Sequence, residues 1–234
     1  SLGHSSAAHL DRARHQPRTP MKKLSYVTLF VLALVVQVAV ASFQTIPGYL
    51  DADYYFSGGL QLVQGRGFNE PYLWNYLDDP AGIPHPSHGY WLPLASIVSA
   101  LGMWLTGVQT YAAGRLTFIL LAALVPSLTM ALSYKFFRNP ALAWTSGLLA
   151  VFPVFHLPFL PVPDNYGILM ILGGLYLLLA DRPHPWFWLG LLSGLMALAR
   201  SDGLLWLALT FLYILWRVRD EKRSFGSLIQ DGAL

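Results

Sequence analysis

The sequence predicts an all-α fold, a polytopic transmembrane helical bundle of about six spans with one re-entrant or interfacial helix and a long outer first loop. Three observations carry that expectation. Of 234 residues, 55% are hydrophobic and only 12% are charged, a balance far from that of a soluble domain. The apolar residues fall in runs close to the ~20 residues a helix needs to cross ~30 Å of hydrocarbon, and lipid leaves no other open-chain way to satisfy the backbone. Despite a net charge of +3, the basic residues sit at the ends of those runs rather than on a shared surface. They read as topology determinants and not as a nucleic-acid interface.

Residues 1–20 are polar, basic and unpatterned, and are expected to be a disordered or non-native leader, with Met21 as the start. Lys22-Lys23 and the apolar run 24–43 form the first span, and also fit a signal peptide ending near Ala41; either way the loop beyond residue 43 is exported. The remaining apolar segments are 91–107, 116–137, 141–160, 166–180, 186–199 and 204–216. Gly190 and Gly194 form a small-xxx-small pattern suited to close helix packing. With no cysteine, disulfides, thiolate metal sites and cysteine nucleophiles are excluded.

Charge counting sets the number of spans. If all seven segments cross, seven basic residues fall inside and eight outside, so no bias results. If 91–107 stays on the outer side without crossing, every later loop changes face and only Arg66, Arg115 and Arg200 remain outside, leaving twelve of fifteen in the cytoplasm. Pro93 near the start of that segment agrees with the second arrangement. The expected topology therefore has a cytoplasmic N-terminus, an outer loop over 44–109, and a basic cytoplasmic anchor from Arg217 to Arg223. It makes the chain an integral membrane protein, of the plasma membrane in a prokaryote. It also gathers Asp51, Asp53, Glu70, Asp78, Asp79, Asp164 and Asp202 on one face.

Several of these residues are suited to chemistry. Asp51 and Asp53 are paired acids just beyond the first span, able to take a proton from an acceptor or to hold a divalent cation. Either could instead cap a helix that the apolar spacing begins near Asp53. Asp164, preceded by Pro163, has the position of an N-cap and is also a second outer carboxylate for a metal. Arg200 offers a planar charged fork to phosphate, or a salt bridge to Asp202. His85 and His88, three apart in a proline-rich loop, could ligate metal or contact a substrate, or belong to a solvated loop. No Asp, Glu or Lys lies inside an apolar segment away from its ends, which weakens the rival reading of a transporter or lipid-carrier flippase fragment.

The Asp51-Ala52-Asp53-Tyr54-Tyr55 stretch, the Pro84-His85 and Trp91-Leu92-Pro93-Leu94 stretches before the non-crossing segment, and Pro163-Asp164 together resemble the GT-C superfamily of membrane glycosyltransferases. That superfamily includes protein O-mannosyltransferases, aminoarabinose transferases and the catalytic subunits of oligosaccharyltransferases. The resemblance covers most of 21–234, as the N-terminal part of such a transmembrane domain, truncated at its C-terminus. It implies a hexosyltransferase that takes a sugar from a polyprenyl-phosphate donor and gives it to an acceptor protein, lipid or glycan on the outer face, as in protein glycosylation. On the matching positions it implies Asp51 as catalytic acid with Asp53 close by, and substrate contacts from Arg200, Asp164, His85, His88 and Tyr55. It also implies a divalent cation, Mg or Mn, held by Asp51 and Asp164; here Asp164 is followed by Asn165 and not by a second acid.

Overall fold

The computed structural model describes residues 21–73, 80–183 and 185–220. The expected leader, Asp78, Asp79 and the Lys222-Arg223 end of the basic anchor lie outside the described residues. The described chain is mostly helical: α1 (Lys23–Ser42), α2 (Leu50–Val63), α3 (Leu94–Thr106), α4 (Tyr111–Gly114), α5 (Leu116–Phe137), α6 (Pro140–Val151), α7 (Asn165–Leu179), α8 (Trp186–Ala199) and α9 (Leu204–Asp220). A two-residue antiparallel ladder pairs Asn69 with Pro86 and Glu70 with His85, pinning the loop after α2 back onto itself.

The apolar runs become helices nearly where the sequence places them, and the exceptions have causes. The run 141–160 forms a helix only over Pro140–Val151. Pro153 lacks an N–H and pushes the preceding residue out of the helical region, and Phe152 sits at φ −121°, ψ 63°. Turns carry the chain on to Pro161. Two described helical stretches are long and apolar enough to cross a membrane, Lys23–Ser42 and Tyr111–Phe137. Large apolar side chains face outward on α1, α6 and α9, among them Val35, Leu149 and Leu205, and on the turn at Val154 and Phe155.

α5 is the central post, packed by α1 and α6 on one side and α7 on another, with α8 and α9 continuing the row from α7. One core cluster joins Leu29, Ala33, Ala123, Met130, Ala143 and Val151; the second joins Tyr54, Tyr55, Phe118, Leu172, Leu189 and Met196. Each end of the bundle is closed by its own set of polar ties. At one end Lys135 of α5 donates to the Leu178 carbonyl of α7 (3.3 Å) and pairs with Asp181 (2.9 Å), and Tyr213 of α9 donates to the Ala180 carbonyl (2.8 Å). At the other end Gln44, just past α1, donates to the Pro158 carbonyl (2.7 Å) and accepts at its own carbonyl from Arg115 (2.6 Å). The chain therefore leaves α1, runs through α2 and α3, and returns through Arg115 to the end it left.

Close helix approach does not occur at Gly190 or Gly194, where a Cβ would meet nothing. It occurs between α2 and α3: a Cβ on Gly59 would lie 2.8 Å from Ser99 Cβ and 2.9 Å from the Ser96 carbonyl. Backbone cannot give way as a flexible side chain can, so Gly59→Ala is expected to destabilise the fold by about 1–3 kcal/mol. Gly190→Ala, in open helix, should be neutral or stabilising by up to about 1 kcal/mol. Thermal unfolding of the two variants in detergent checks the contrast.

Candidate functional site

The site forms where the first turn of α2, the start of α7 and the end of α8 meet. α2 begins earlier than the sequence pattern indicates: Tyr49 is its N-cap residue and has no side-chain cap bond, so neither Asp51 nor Asp53 serves as the cap. Both acids sit in the first turn, where the helix dipole favours negative charge. Positions i, i+3 and i+4 share a helix face, so Asp51 lies with Tyr54 and Tyr55, both buried. Asp53, two residues on, is on a different face; it is exposed and neighbours Tyr72 rather than the site.

Asp51, Tyr55, Trp91, Asp164, Asn165 and Arg200 line one cavity of about 590 Å³. Asp164 is the N-cap of α7, one carboxylate oxygen accepting from the Asn165 backbone N–H. Its other oxygen accepts from the Tyr49 hydroxyl, which ties the start of α2 to the start of α7. Asn165, itself buried, donates from Nδ2 to the Tyr55 hydroxyl at 2.7 Å, while its Oδ1 is buried with no partner among the described residues. Arg200 is the extended residue that ends α8. The turn after it is tight enough that a Cβ on Gly203 would lie 2.1 Å from the Met196 carbonyl. Arg200 bonds through Nε to Asp202 at 3.1 Å, half exposed, as the salt-bridge alternative expects, and its charge also reaches Asp51 and Asp164.

Electrostatics follow from burial. Desolvation pushes the Asp51 carboxyl above the usual carboxylate range, opposed by the Arg200 charge and by a hydrogen bond from the Trp91 indole. Asp164 is raised by burial, against the bonds from Tyr49 and the Asn165 N–H, and the Asp51 charge raises it further. Burial also raises the Tyr49 and Tyr55 phenols, so both remain protonated donors at neutral pH.

The two histidines lie outside the cavity lining. His85 is buried in the ladder, its Nε2 3.0 Å from the Tyr72 carbonyl and 3.5 Å from Glu70. His88 turns its ring inward, Nδ1 2.9 Å from the Trp91 carbonyl. Sequence reasoning missed Tyr49 and Asn165, and gave no site role to Trp91, which lines the cavity with Asp51. Among the described residues no three His, Cys, Asp or Glu side chains converge on a metal position. Asp51 and Asp164 supply two carboxylates, which suits Mg²⁺ or Mn²⁺ only where water and phosphate oxygens complete the shell.

Compared with family models, curated proteins and solved structures, the chain matches none.

Because the native Asp51 pKa lies above its unfolded value of about 3.9, its ionisation weakens the fold. The native state takes up a proton first as pH falls, so stability rises between the folded pKa and the unfolded one and is lost again as pH rises through the folded pKa. Asp51→Asn should therefore raise the thermal midpoint at neutral pH, and the gain should vanish below about pH 4. Melting curves across pH in detergent measure it.

Proposed function

We propose that the chain belongs to a membrane glycosyltransferase that moves a sugar from a polyprenyl-phosphate donor to an acceptor on the non-cytoplasmic face. The observation that carries this reading is the convergence of Asp51, Asp164 and Arg200, drawn from three distant parts of the sequence, on one cavity at one end of the bundle. An acid raised by burial is a better general base near neutral pH than an exposed aspartate, and a guanidinium in the same cavity complements phosphate.

Asp51 takes the proton of the acceptor nucleophile, which attacks the anomeric carbon; the bond from that carbon to the phosphate oxygen breaks with inversion. The lipid phosphate leaves with its charge complemented by Arg200. Asp164, held by Tyr49, and Tyr55, held by Asn165, shape the cavity, and the protein supplies position and charge. A Mg²⁺ or Mn²⁺ ion, when bound by Asp51 and Asp164, would add neutralisation at the phosphate.

The membrane arrangement that goes with this function has six spans, α1, α5, α6 with its following turn, α7, α8 and α9, and α3 lying on the outer side without crossing. Three observations support it. Both ends of the α3 excursion lie at the cavity end, Trp91 at Asp51 and Arg115 at Gln44. Lys135, Arg138, Arg182, Arg217 and Arg219 stand at or just past helix ends opposite the cavity, as cytoplasmic residues would. The outward apolar surface, with Val154 88% and Phe155 75% exposed, is of the kind lipid covers.

The test is glycosyl transfer in membranes from cells expressing the intact gene product, with polyprenyl-phosphate sugars as donors. Asp51→Asn should lower transfer by roughly 10²–10⁴-fold at unchanged protein level, while Asp53→Asn should lower it by less than about tenfold. Wild-type turnover by Asp51→Asn would remove the proposed base.

A further inference from the structure

We propose that the cleft between α6 and α7, floored by α5, holds the polyprenyl chain of a polyprenyl-phosphate donor. The inference deepens the transferase reading and rests on it for the identity of the chain; the cleft itself is a property of the folded bundle.

The cleft follows from which helices touch. α6 packs on α5 and α1, and α7 packs on α5 and α8, while α6 and α7 make little contact with each other. Glycines press both onto the central post: a Cβ on Gly147 would lie 3.2 Å from Met130 Cβ, and one on Gly174 would strike the Leu128 side chain. α6 then stops at Val151, ahead of Pro153. What remains is a groove of about 320 Å³, floored by α5 between 125 and 132 and walled by Ala150 and Pro153 on one side and by α7 between 170 and 177 on the other. One polar side chain lines it, Thr129, and its hydroxyl donates back to the Val125 carbonyl at 2.9 Å. An apolar occupant therefore leaves nothing unpaired there.

Size selects among apolar occupants. Seven residues of helix rise by about 10 Å, so the groove has a cross-section of about 30 Å². A helix with its side chains covers roughly 80–110 Å², so a helix of a second copy would bridge the groove without entering it. With carbons packing about 4 Å apart, an unbranched acyl chain covers roughly 15–20 Å² and fits loosely. The methyl branches of an isoprenoid fill the remainder. Lipid tails are as apolar as the groove, so shape and not hydrophobicity decides between them.

The groove also leads to the site. Met170 and Tyr166 are four residues apart and share a face of α7. The Tyr166 ring meets Phe159, with centroids 5.9 Å apart, and Phe159 meets Tyr49 at 5.5 Å. Phe159 and Tyr49 line a second recess of about 340 Å³ with Phe43, Ile46 and Pro158. Tyr49 in turn bonds Asp164, in the wall of the cavity that holds Asp51 and Arg200. A chain whose phosphate sits beside Arg200 passes Tyr49, crosses the aromatic rings and descends along α7 into the groove.

The experiment reads occupancy without needing turnover. The intact gene product in phosphatidylcholine nanodiscs is irradiated with a polyprenyl phosphate carrying a diazirine on its fourth isoprene unit, and labelled peptides are located by mass spectrometry. Labels should fall on 125–132, 150–153 or 170–177, and should be displaced by unlabelled polyprenyl phosphate but not by the same excess of phosphatidylglycerol. Ala150→Phe, which fills the groove from α6, should lower labelling there by about tenfold. Leu149→Phe, on the outward face of the same helix, should leave it unchanged. Where transfer is measurable, Ala150→Phe should raise KM for the polyprenyl-phosphate sugar by a similar factor with kcat little changed, the mark of lost binding. Labels elsewhere with none in the groove overturn the proposal, as does undiminished labelling of folded Ala150→Phe. Displacement by phosphatidylglycerol equal to that by polyprenyl phosphate overturns it too, marking a general lipid site. If Ala150→Phe does not fold, the location and displacement of the wild-type labels decide alone. Absence of transfer in the wild type, with groove labelling intact, overturns the transferase reading and leaves the polyprenyl-phosphate site standing.

Discussion

The hydrogen bond from Tyr49 to Asp164 is the tie on which the site depends. It joins residues 115 positions apart, one at the start of the first loop's helix and one at the cap of α7. Without it, the helix that carries Asp51 would be held there by the edge-on contact of Tyr49 with Phe159 and, a turn further on, by the Asn165–Tyr55 bond. The bond is also well used electrostatically: a buried carboxylate that accepts from a phenol and a backbone N–H is spared much of the cost of desolvation. Asp164 thereby acts as a structural anchor facing a cavity in which Asp51 keeps its freedom to exchange a proton.

A second constraint sets which residues can reach that cavity. Small residues let α2 and α3 approach closely, with Gly58 and Gly59 against Ser96 and Ser99, and Arg115 brings the chain back to the Gln44 carbonyl. The long first excursion is therefore a folded unit seated on one end of the bundle. Asp51 and Asp164 lie at that end with Arg115 and Arg200, and Lys135, Arg138, Arg182, Arg217 and Arg219 lie at the other with Asp181. A fold organised this way presents a cavity lined by Asp51, Asp164 and Arg200 at one end of the apolar helices, the place where the proposed reaction would bring a lipid-borne phosphate and a polar acceptor together.

Much of this was legible in the sequence, and the failures are instructive. The apolar runs located the helices because burial and lipid exposure both select the same residue types, and the run 186–199 matches α8 to the residue. The run 141–160 misled because hydropathy is blind to Pro153, whose missing donor ends the helix at Val151. The small-xxx-small spacing at Gly190 misled because it describes what a helix permits, not what lies opposite. Asp51 was singled out through the family resemblance, on the positions of Tyr54 and Tyr55, and it lines the cavity. That Asp53 faces elsewhere was also available, since residues two apart do not share a helix face. Tyr49 and Asn165 were not legible, because what makes them part of the site is a partner more than a hundred residues away. His88 was read as a metal ligand, a substrate contact or part of a solvated loop, and is found instead with its ring turned inward, Nδ1 2.9 Å from the Trp91 carbonyl, a distinction that depends on backbone conformation.

The loop around Trp91 and the turn at Arg200 must face each other across one cavity on one side of the membrane if Asp51 and Arg200 are to serve one reaction. The chain has no cysteine, so two can be introduced cleanly. Leu92→Cys paired with Ser201→Cys, treated in sealed membranes with a short impermeant bis-maleimide on the non-cytoplasmic side, should give a single intramolecular cross-link. If the two thiols instead react only from opposite sides, with no cross-link, Asp51 and Arg200 share no cavity and the transferase reading fails.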